Sequence, residues 1–222
     1  HVRRIAGSFT AQAFITTDLD DNQITAFHPG AMTYSHLNRV ADVPKVTLGI
    51  VAPDGRDGML QHAHDLAQAG IPFVFDPGQG LPMFSGDELM SFIRLADYAC
   101  FNDYEAKLLC DRTGRSLEHL AGELEALIVT LGGEGSLIHA NGRRHEIPCV
   151  QADAVVDPTG CGDAYRSGLL HGIAAGWDWE KVGRLAAVMG AIKIAHRGGQ
   201  NHRPSRSDIA ECFNRAFGTN PW

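Results

Sequence analysis

One segment of the chain combines residue types suited to phosphoryl transfer: Asp-Pro-Thr-Gly-Cys-Gly-Asp-Ala at residues 157–164, where irregular chain leads into a long helical pattern. Glycines at a helix start let successive backbone N–H groups converge, and the helix dipole adds partial positive charge there. We therefore expect an anion hole formed by the amides of Gly160, Cys161 and Gly162. Asp163, in the first helical turn, would accept a proton from an attacking hydroxyl. The alternative is an ordinary helix start in which Asp163 only stabilises the dipole.

Two earlier segments could hold a nucleotide. Residues 129–136 read Val-Thr-Leu-Gly-Gly-Glu-Gly-Ser, a buried strand that turns into the next strand through three glycines and so allows close approach of backbone to a ligand. Residues 102–105 read Asn-Asp-Tyr-Glu at the carboxyl end of a strand, the edge of an open sheet where ligands usually bind. Each also has a purely structural explanation, as a Gly-rich turn and as a helix capping pair of Asn102 with Glu105.

The predicted strands and helices that position these segments alternate along the chain, as in α/β proteins. A hairpin is predicted first, with strands at 9–17 and 23–31 joined by the turn-rich residues 18–22. Further strands are predicted at 46–51, 71–75, 98–101, 126–131, 136–139 and 143–150, and helices at 58–69, 86–95, 103–112, 162–175, 179–195 and 206–217. Continuous apolar strands separated by helices indicate a mainly parallel sheet covered on both faces. The dipeptide Asn141-Gly142 predicts an antiparallel hairpin at its edge.

Composition narrows the class of partner. The 222 residues carry a formal charge of −7 and contain no apolar stretch long enough to cross a bilayer, which argues against nucleic acid and membrane partners. Five cysteines without a C-x-x-C pair, and no signal peptide at the start, indicate a cytoplasmic protein. A P-loop is excluded because the sequence has no Gly-Lys dipeptide.

Taken in order, Asn-x-x-Glu, Thr-x-Gly-Gly and Asp-Pro-Thr-Gly-x-Gly-Asp-Ala-Tyr resemble the ribokinase-like (PfkB) family of sugar and nucleoside kinases. Within the family, the segments at residues 27–32 (Phe-His-Pro-Gly-Ala-Met), 101–105 (Phe-Asn-Asp-Tyr-Glu) and 163–166 (Asp-Ala-Tyr-Arg) look most like bacterial adenosine-kinase-like members. The resemblance implies a three-layer α-β-α, Rossmann-like core at residues 33–222 and a small β lid at residues 1–32. It implies transfer of the ATP γ-phosphoryl group to a nucleoside hydroxyl. A sugar acceptor such as fructose or ribose is the alternative, and a nucleotide-binding protein without turnover is a third.

The resemblance also implies roles for individual residues. Asp163 becomes the catalytic base beside the amides of residues 160–162, where Cys161 needs to supply only its backbone N–H. Glu105 would hold Mg²⁺ through water with Asn102 beside it, and Asp157 and Thr159 would lie beside K⁺. The ATP-contacting turn comprises Thr130, Gly132, Gly133 and Gly135.

For the acceptor, the resemblance implies contacts from Phe14 and Phe27 of the lid and from Gln79. Core packing of the two phenylalanines and a solvated loop around Gln79 are the alternatives. Such lids are often shared between two copies, so a homodimer through the lid is expected. The family's first strands, with an acceptor-binding Asp and a Gly-Gly segment, match nothing here, and we expect an N-terminal portion to be missing.

Overall fold

The structure, a computed structural model, describes residues 2–17 and 23–222. The chain divides into two compact units, one comprising His1–Asp97 with Arg112–Gly114 and the other comprising Tyr98–Asp111 with Arg115–Trp222. This division does not coincide with the predicted boundary between a lid at residues 1–32 and a core at residues 33–222. All three nucleotide and phosphate motifs predicted from the sequence fall in the second unit.

The first unit contains two pairs of strands. Strands β1 (Gln12–Thr17) and β2 (Gln23–His28) pair antiparallel, which confirms the predicted hairpin, although the turn predicted at residues 18–22 lies outside the described residues. Strand β2 ends before its predicted limit because Gly30–Leu37 forms 3-10 turns. Strands β3 (Gly49–Val51) and β4 (Phe73–Phe75) pair in parallel, and helix α1 (Arg56–Gln68) connects them in sequence.

Helix α2 (Gly86–Leu95) shows how local signals set an element of this unit. Ser85 accepts the Glu88 amide while the Glu88 carboxylate accepts the Ser85 amide, a capping box that starts the helix. One face of the helix is buried, and Phe92 stacks on Phe75 with ring centroids 4.4 Å apart. The predicted bounds of this helix, 86–95, are confirmed.

The second unit is built on four strands: β5 (Tyr98–Asn102), β6 (Ala126–Thr130), β7 (Ser136–Ala140) and β8 (Arg143–Ile147). Strands β5 and β6 pair in parallel, whereas β7 and β8 continue the sheet antiparallel, as predicted. Asn141 and Gly142 adopt φ of 53° and 68°, the left-handed pair that a tight hairpin turn requires.

Helix α3 (Asp103–Thr113) belongs to the second unit as far as Asp111, and four helices lie wholly in it: α4 (Leu117–Gly122), α5 (Cys161–Ala174), α6 (Trp179–Ile194) and α7 (Arg206–Phe217). Helices α5 and α6 pack so closely at Gly168 that a Cβ atom there would lie 2.7 Å from the Ala186 Cα atom. The lack of a side chain on Gly168 permits this contact. Among the described residues, no helix is both long and apolar enough to span a bilayer.

Candidate active site

The loop before α5 has the backbone geometry of an anion hole. Gly160 is the N-cap residue with φ 83°, and a Cβ atom there would lie 3.1 Å from the Gly199 Cα atom, so glycine is required. The Cys161 amide donates to the Pro158 carbonyl at 3.1 Å. Within residues 2–17 and 23–222, the amides of Gly162 and Asp163 meet no protein acceptor and are available to an anion. Of the three amides predicted for the hole, that of Cys161 is therefore already engaged.

Cys161 contributes backbone rather than a reactive sulfur. Burial raises the pKa of its thiol, an effect only partly offset by the nearby Lys193 ammonium. A helix N-terminus can acidify cysteine, but here burial opposes formation of the thiolate.

Asp163 lies in the first turn of α5 and is exposed. No ion pair or side-chain hydrogen bond engages its carboxylate in the described part of the chain, and it does not cap the helix. A carboxylate of this kind, beside unengaged amides, can accept a proton while the amides hold a charged phosphoryl group.

Asp157 clamps the same loop to the chain that follows α6. Its Oδ1 accepts the Thr159 amide at 2.8 Å, and its Oδ2 accepts the Gly198 amide at 2.7 Å. The Gly198 N–H, followed by the Thr159 N–H, lowers the pKa of Asp157 from 3.8 to about 2. Its backbone carbonyl accepts the Lys193 ammonium at 2.6 Å, a contact that the sequence gave no reason to expect.

Asn102 and Glu105 form a reciprocal capping pair at the start of α3. The Asn102 amide donates to Glu105 Oε2 at 2.9 Å, and the Glu105 amide donates to Asn102 Oδ1 at 2.7 Å. The structural explanation considered for these residues therefore holds. It also fixes the Glu105 carboxylate at the carboxyl end of β5, where the sequence predicted a role in metal binding.

The glycine-rich turn follows β6. Thr130 ends the strand and donates through its hydroxyl to the Phe101 carbonyl at 3.4 Å. Gly132 and Gly133 are exposed, and a Cβ on either would meet nothing within 4 Å, so their backbone is accessible to a ligand. Gly135 has φ 95°, and its Cβ would lie 2.1 Å from the Ile147 carbonyl oxygen, so this glycine serves the turn itself.

The three motifs meet at one edge of the sheet. Asn102 is the register partner of Thr130, and Thr130 is the register partner of Ser136. The Ser136 hydroxyl forms a buried 2.7 Å hydrogen bond with the Tyr165 hydroxyl of α5, two residues beyond Asp163. Burial raises the pKa of Tyr165, so the phenol stays neutral and can donate. Neither Ser136 nor Tyr165 was given a role from the sequence, although both lie within the segments that carry the motifs.

Comparison with known proteins agrees with this geometry. The model of the pfkB family of carbohydrate kinases matches residues 1–206. This chain belongs to the pfkB family. It is therefore a kinase of the ribokinase-like α/β fold, as the sequence predicted.

Several pfkB relatives are described as nucleoside kinases. That of Methanocaldococcus jannaschii is 32% identical over 210 residues, which cover 93% of this chain and 68% of the relative. The structure of the Burkholderia thailandensis nucleoside kinase in complex with inosine shares 55% identity and a TM-score of 0.94, covering 97% of this chain and 71% of that chain. The same kinase in complex with ADP and inosine gives a TM-score of 0.93. The Thermotoga maritima ribokinase, at 20% identity and a TM-score of 0.72, supports the fold.

The predicted acceptor residues of this pfkB chain belong to the first unit. Phe14 and Phe27, on β1 and β2, are 63% and 52% exposed, which contradicts the alternative that they pack in a core. Gln79 is exposed in the 3-10 segment Gly78–Met83. Their contact with an acceptor stays a prediction.

Proposed function

We propose that this pfkB kinase transfers the γ-phosphoryl group of ATP to a hydroxyl of a nucleoside. The observation that carries the proposal is the exposed Asp163 carboxylate in the same helical turn as two amides without a protein acceptor. The acceptor class is supported by 55% identity to a kinase whose structure is described in complex with inosine. The Escherichia coli fructokinase matches less of the chain than that nucleoside kinase does, at 27% identity over 178 residues.

Asp163 would orient the acceptor hydroxyl and take its proton as the bond to phosphorus forms. The amides of Gly162 and Asp163, together with the dipole of α5, would stabilise the charge on the transferring group. These donors are fixed before the reaction because Gly160 and Asp157 hold the loop, so little reorganisation is needed when the charge develops. The exposed backbone of Gly132 and Gly133 would lie against the nucleotide.

Mg²⁺ would be held mainly by ATP and water, with Glu105 as the protein contact. Among the described residues, no group of three or more Asp, Glu, His and Cys side chains could form a metal cage. Mg²⁺ usually keeps several waters and binds through one or two carboxylates plus substrate phosphates, so a single positioned carboxylate fits. The ion would neutralise charge on the phosphate oxygens.

K⁺ fits the predicted residues Asp157 and Thr159 poorly. Both carboxylate oxygens of Asp157 accept backbone N–H groups, and its carbonyl oxygen accepts the Lys193 ammonium. A second cation at that carbonyl would be repelled by the ammonium charge. We therefore assign K⁺ no part in the reaction.

A homodimer through the hairpin is part of the proposal. Side chains alternate between the two faces of a strand, so Phe14 and Ile24 share one face of the hairpin and Ile15 and Phe27 share the other. All four are more than half exposed, at 63%, 78%, 51% and 52% in that order. An isolated two-stranded hairpin is only marginally stable, and a second copy would cover its apolar faces.

The test is an acceptor comparison with the full-length protein, ATP and Mg²⁺. ADP release is measured with inosine, adenosine, ribose, fructose and no acceptor. We expect kcat/KM for a nucleoside to exceed that for either sugar by about 10²-fold or more. A preference for a sugar would favour the sugar-kinase alternative, and ATP binding without ADP release for any acceptor would favour a nucleotide-binding protein without turnover.

A further inference from the structure

Lys193 is the most unusual charged residue of the second unit. It lies one residue before the end of α6, and its side chain is completely buried, with 0% exposure. Lysine is almost never fully buried unless its charge is compensated, because an ammonium group loses its hydration there. Its position therefore requires a specific set of partners.

Those partners are backbone carbonyl oxygens. The Lys193 Nζ donates to the Asp157 carbonyl at 2.6 Å and to the His196 carbonyl at 3.1 Å. The Asp157 carboxylate is near enough for the ammonium charge to contribute to lowering its pKa, although backbone N–H groups are the larger causes. Carbonyl oxygens around one positive charge, with a carboxylate close by, form the ligand set that proteins offer to a hard cation.

The contacts place the Lys193 ammonium group beside Asp157, the first residue of the anion-hole loop. Asp157 is bonded through its carbonyl to Lys193 and through its carboxylate to the amides of Thr159 and Gly198. Gly160 packs against Gly199, the residue after Gly198: a Cβ atom on Gly160 would lie 3.1 Å from the Gly199 Cα atom. Lys193 thus joins the two chain segments that hold the start of α5 in place.

We propose that the Lys193 ammonium takes the place of a monovalent cation beside the anion hole, so that catalysis by this chain does not depend on K⁺. Lys193 is a positioning residue: it acts through the Asp157 carbonyl and through its charge, and does not contact the reacting atoms. The kinetic part of this proposal rests on the proposed kinase activity, whereas the binding part does not.

The first test compares salts on the wild-type full-length protein. ADP release with a nucleoside is measured in KCl and in choline chloride at equal ionic strength. We expect the two values of kcat to agree within about twofold, because the ammonium already fills the position. Activation of the wild type by K⁺ of about tenfold or more would overturn the proposal.

The second test uses two substitutions that differ in the space they leave. Lys193→Ala opens room for an ion, and Lys193→Met fills the volume without a charge. We expect the melting temperature of both variants to fall by about 5 to 10 °C in choline chloride, since buried carbonyls lose their donor. KCl or NH₄Cl should raise the melting temperature and kcat of Lys193→Ala, because an ion that binds only the folded state stabilises it. Neither salt should restore Lys193→Met.

The control is Lys181→Ala on the same helix, where the lysine lies over the Trp177 ring rather than among carbonyls. This variant should behave like the wild type in both salts. If no acceptor supports ADP release, the proposed function fails, but the melting temperatures still test the cation site. A Lys193→Ala variant that responds no differently to KCl and choline chloride, in melting temperature or in folded fraction, would overturn the inference.

Discussion

At the scale of single residues, the candidate site depends on backbone atoms held by a few side chains. The sequence predicted Gly160 and Asp163 because only certain residue types suit a helix start that binds anions. It could not predict that the Cys161 amide is taken by Pro158, since that bond depends on how the turn closes. Lys193 gave no signal at all, because a helical lysine is normally solvated and only the packing of α6 buries it.

Gly160→Ala tests the backbone geometry. The residue has φ 83° and faces Gly199 at 3.1 Å, whereas Gly176 has φ 67° with nothing within 4 Å of its Cβ position. Gly176→Ala is therefore a matched control for backbone strain, which costs about 1–2 kcal/mol in each variant. We expect kcat to fall about tenfold or more in Gly160→Ala and to stay near the wild-type value in Gly176→Ala. Chemical denaturation of both variants checks that their free energies of unfolding fall by similar amounts. Equal activity of the two variants would contradict the assigned geometry.

Asp157 should make stability depend on pH below about 4. Its folded pKa of about 2 is depressed from 3.8, so its stabilising contribution is complete above the unfolded pKa and disappears as pH falls through the folded pKa. We expect the difference in melting temperature between wild type and Asp157→Asn to be constant above pH 4 and to narrow towards pH 2. A difference that is unchanged across this range would show that the carboxylate charge is not involved.

At the scale of elements, the hydrophobic pattern predicted the bounds of helices well where it extended over several turns. Helices α2 and α7 match their predicted bounds because Ser85 and Ser205 start them with capping boxes. Helix α4 was missed since six residues are too few to show a helical period. Strand β3 was predicted at 46–51 but spans Gly49–Val51, because an apolar run does not reveal how much of it finds a pairing partner.

The contact between β7 and α5 gives a prediction at this scale. The buried Ser136–Tyr165 hydrogen bond holds the catalytic helix against the strand that follows the glycine-rich turn. Ser136→Ala and Tyr165→Phe should each lower the free energy of unfolding by about 1–3 kcal/mol, because each leaves a buried partner unsatisfied. The double variant should lose less than the sum in urea denaturation. Additive losses would mean that the two hydroxyl groups are not coupled.

At the scale of the whole molecule, the order of the motifs along the chain predicted the family and the fold class, and the pfkB match over residues 1–206 confirms both. The boundary between Asp97 and Tyr98 that divides the two units was not predicted, since it follows from packing rather than from sequence order. The acceptor residues remain the least determined part, because Phe14, Phe27 and Gln79 are exposed and their partners are not fixed by contacts within the chain.

Self-association through the hairpin is the prediction at this scale. Ile24 is 78% exposed on the face that it shares with Phe14, so Ile24→Asp should weaken a dimer formed there. Val43→Asp, at a 39% exposed position outside the hairpin, is the control. We expect sedimentation to show dimers for the wild type and the control and monomers for Ile24→Asp. Monomeric wild-type protein would remove the hairpin dimer from the account.

The most direct test of the central claim is the rate of phosphoryl transfer by Asp163→Asn in the full-length protein, with Asp111→Asn, an exposed residue of α3, as the control. The account predicts that kcat falls by about 10²- to 10⁴-fold while ATP affinity is largely kept, because the amides remain and the proton acceptor is lost. Turnover of Asp163→Asn at the wild-type rate would contradict it.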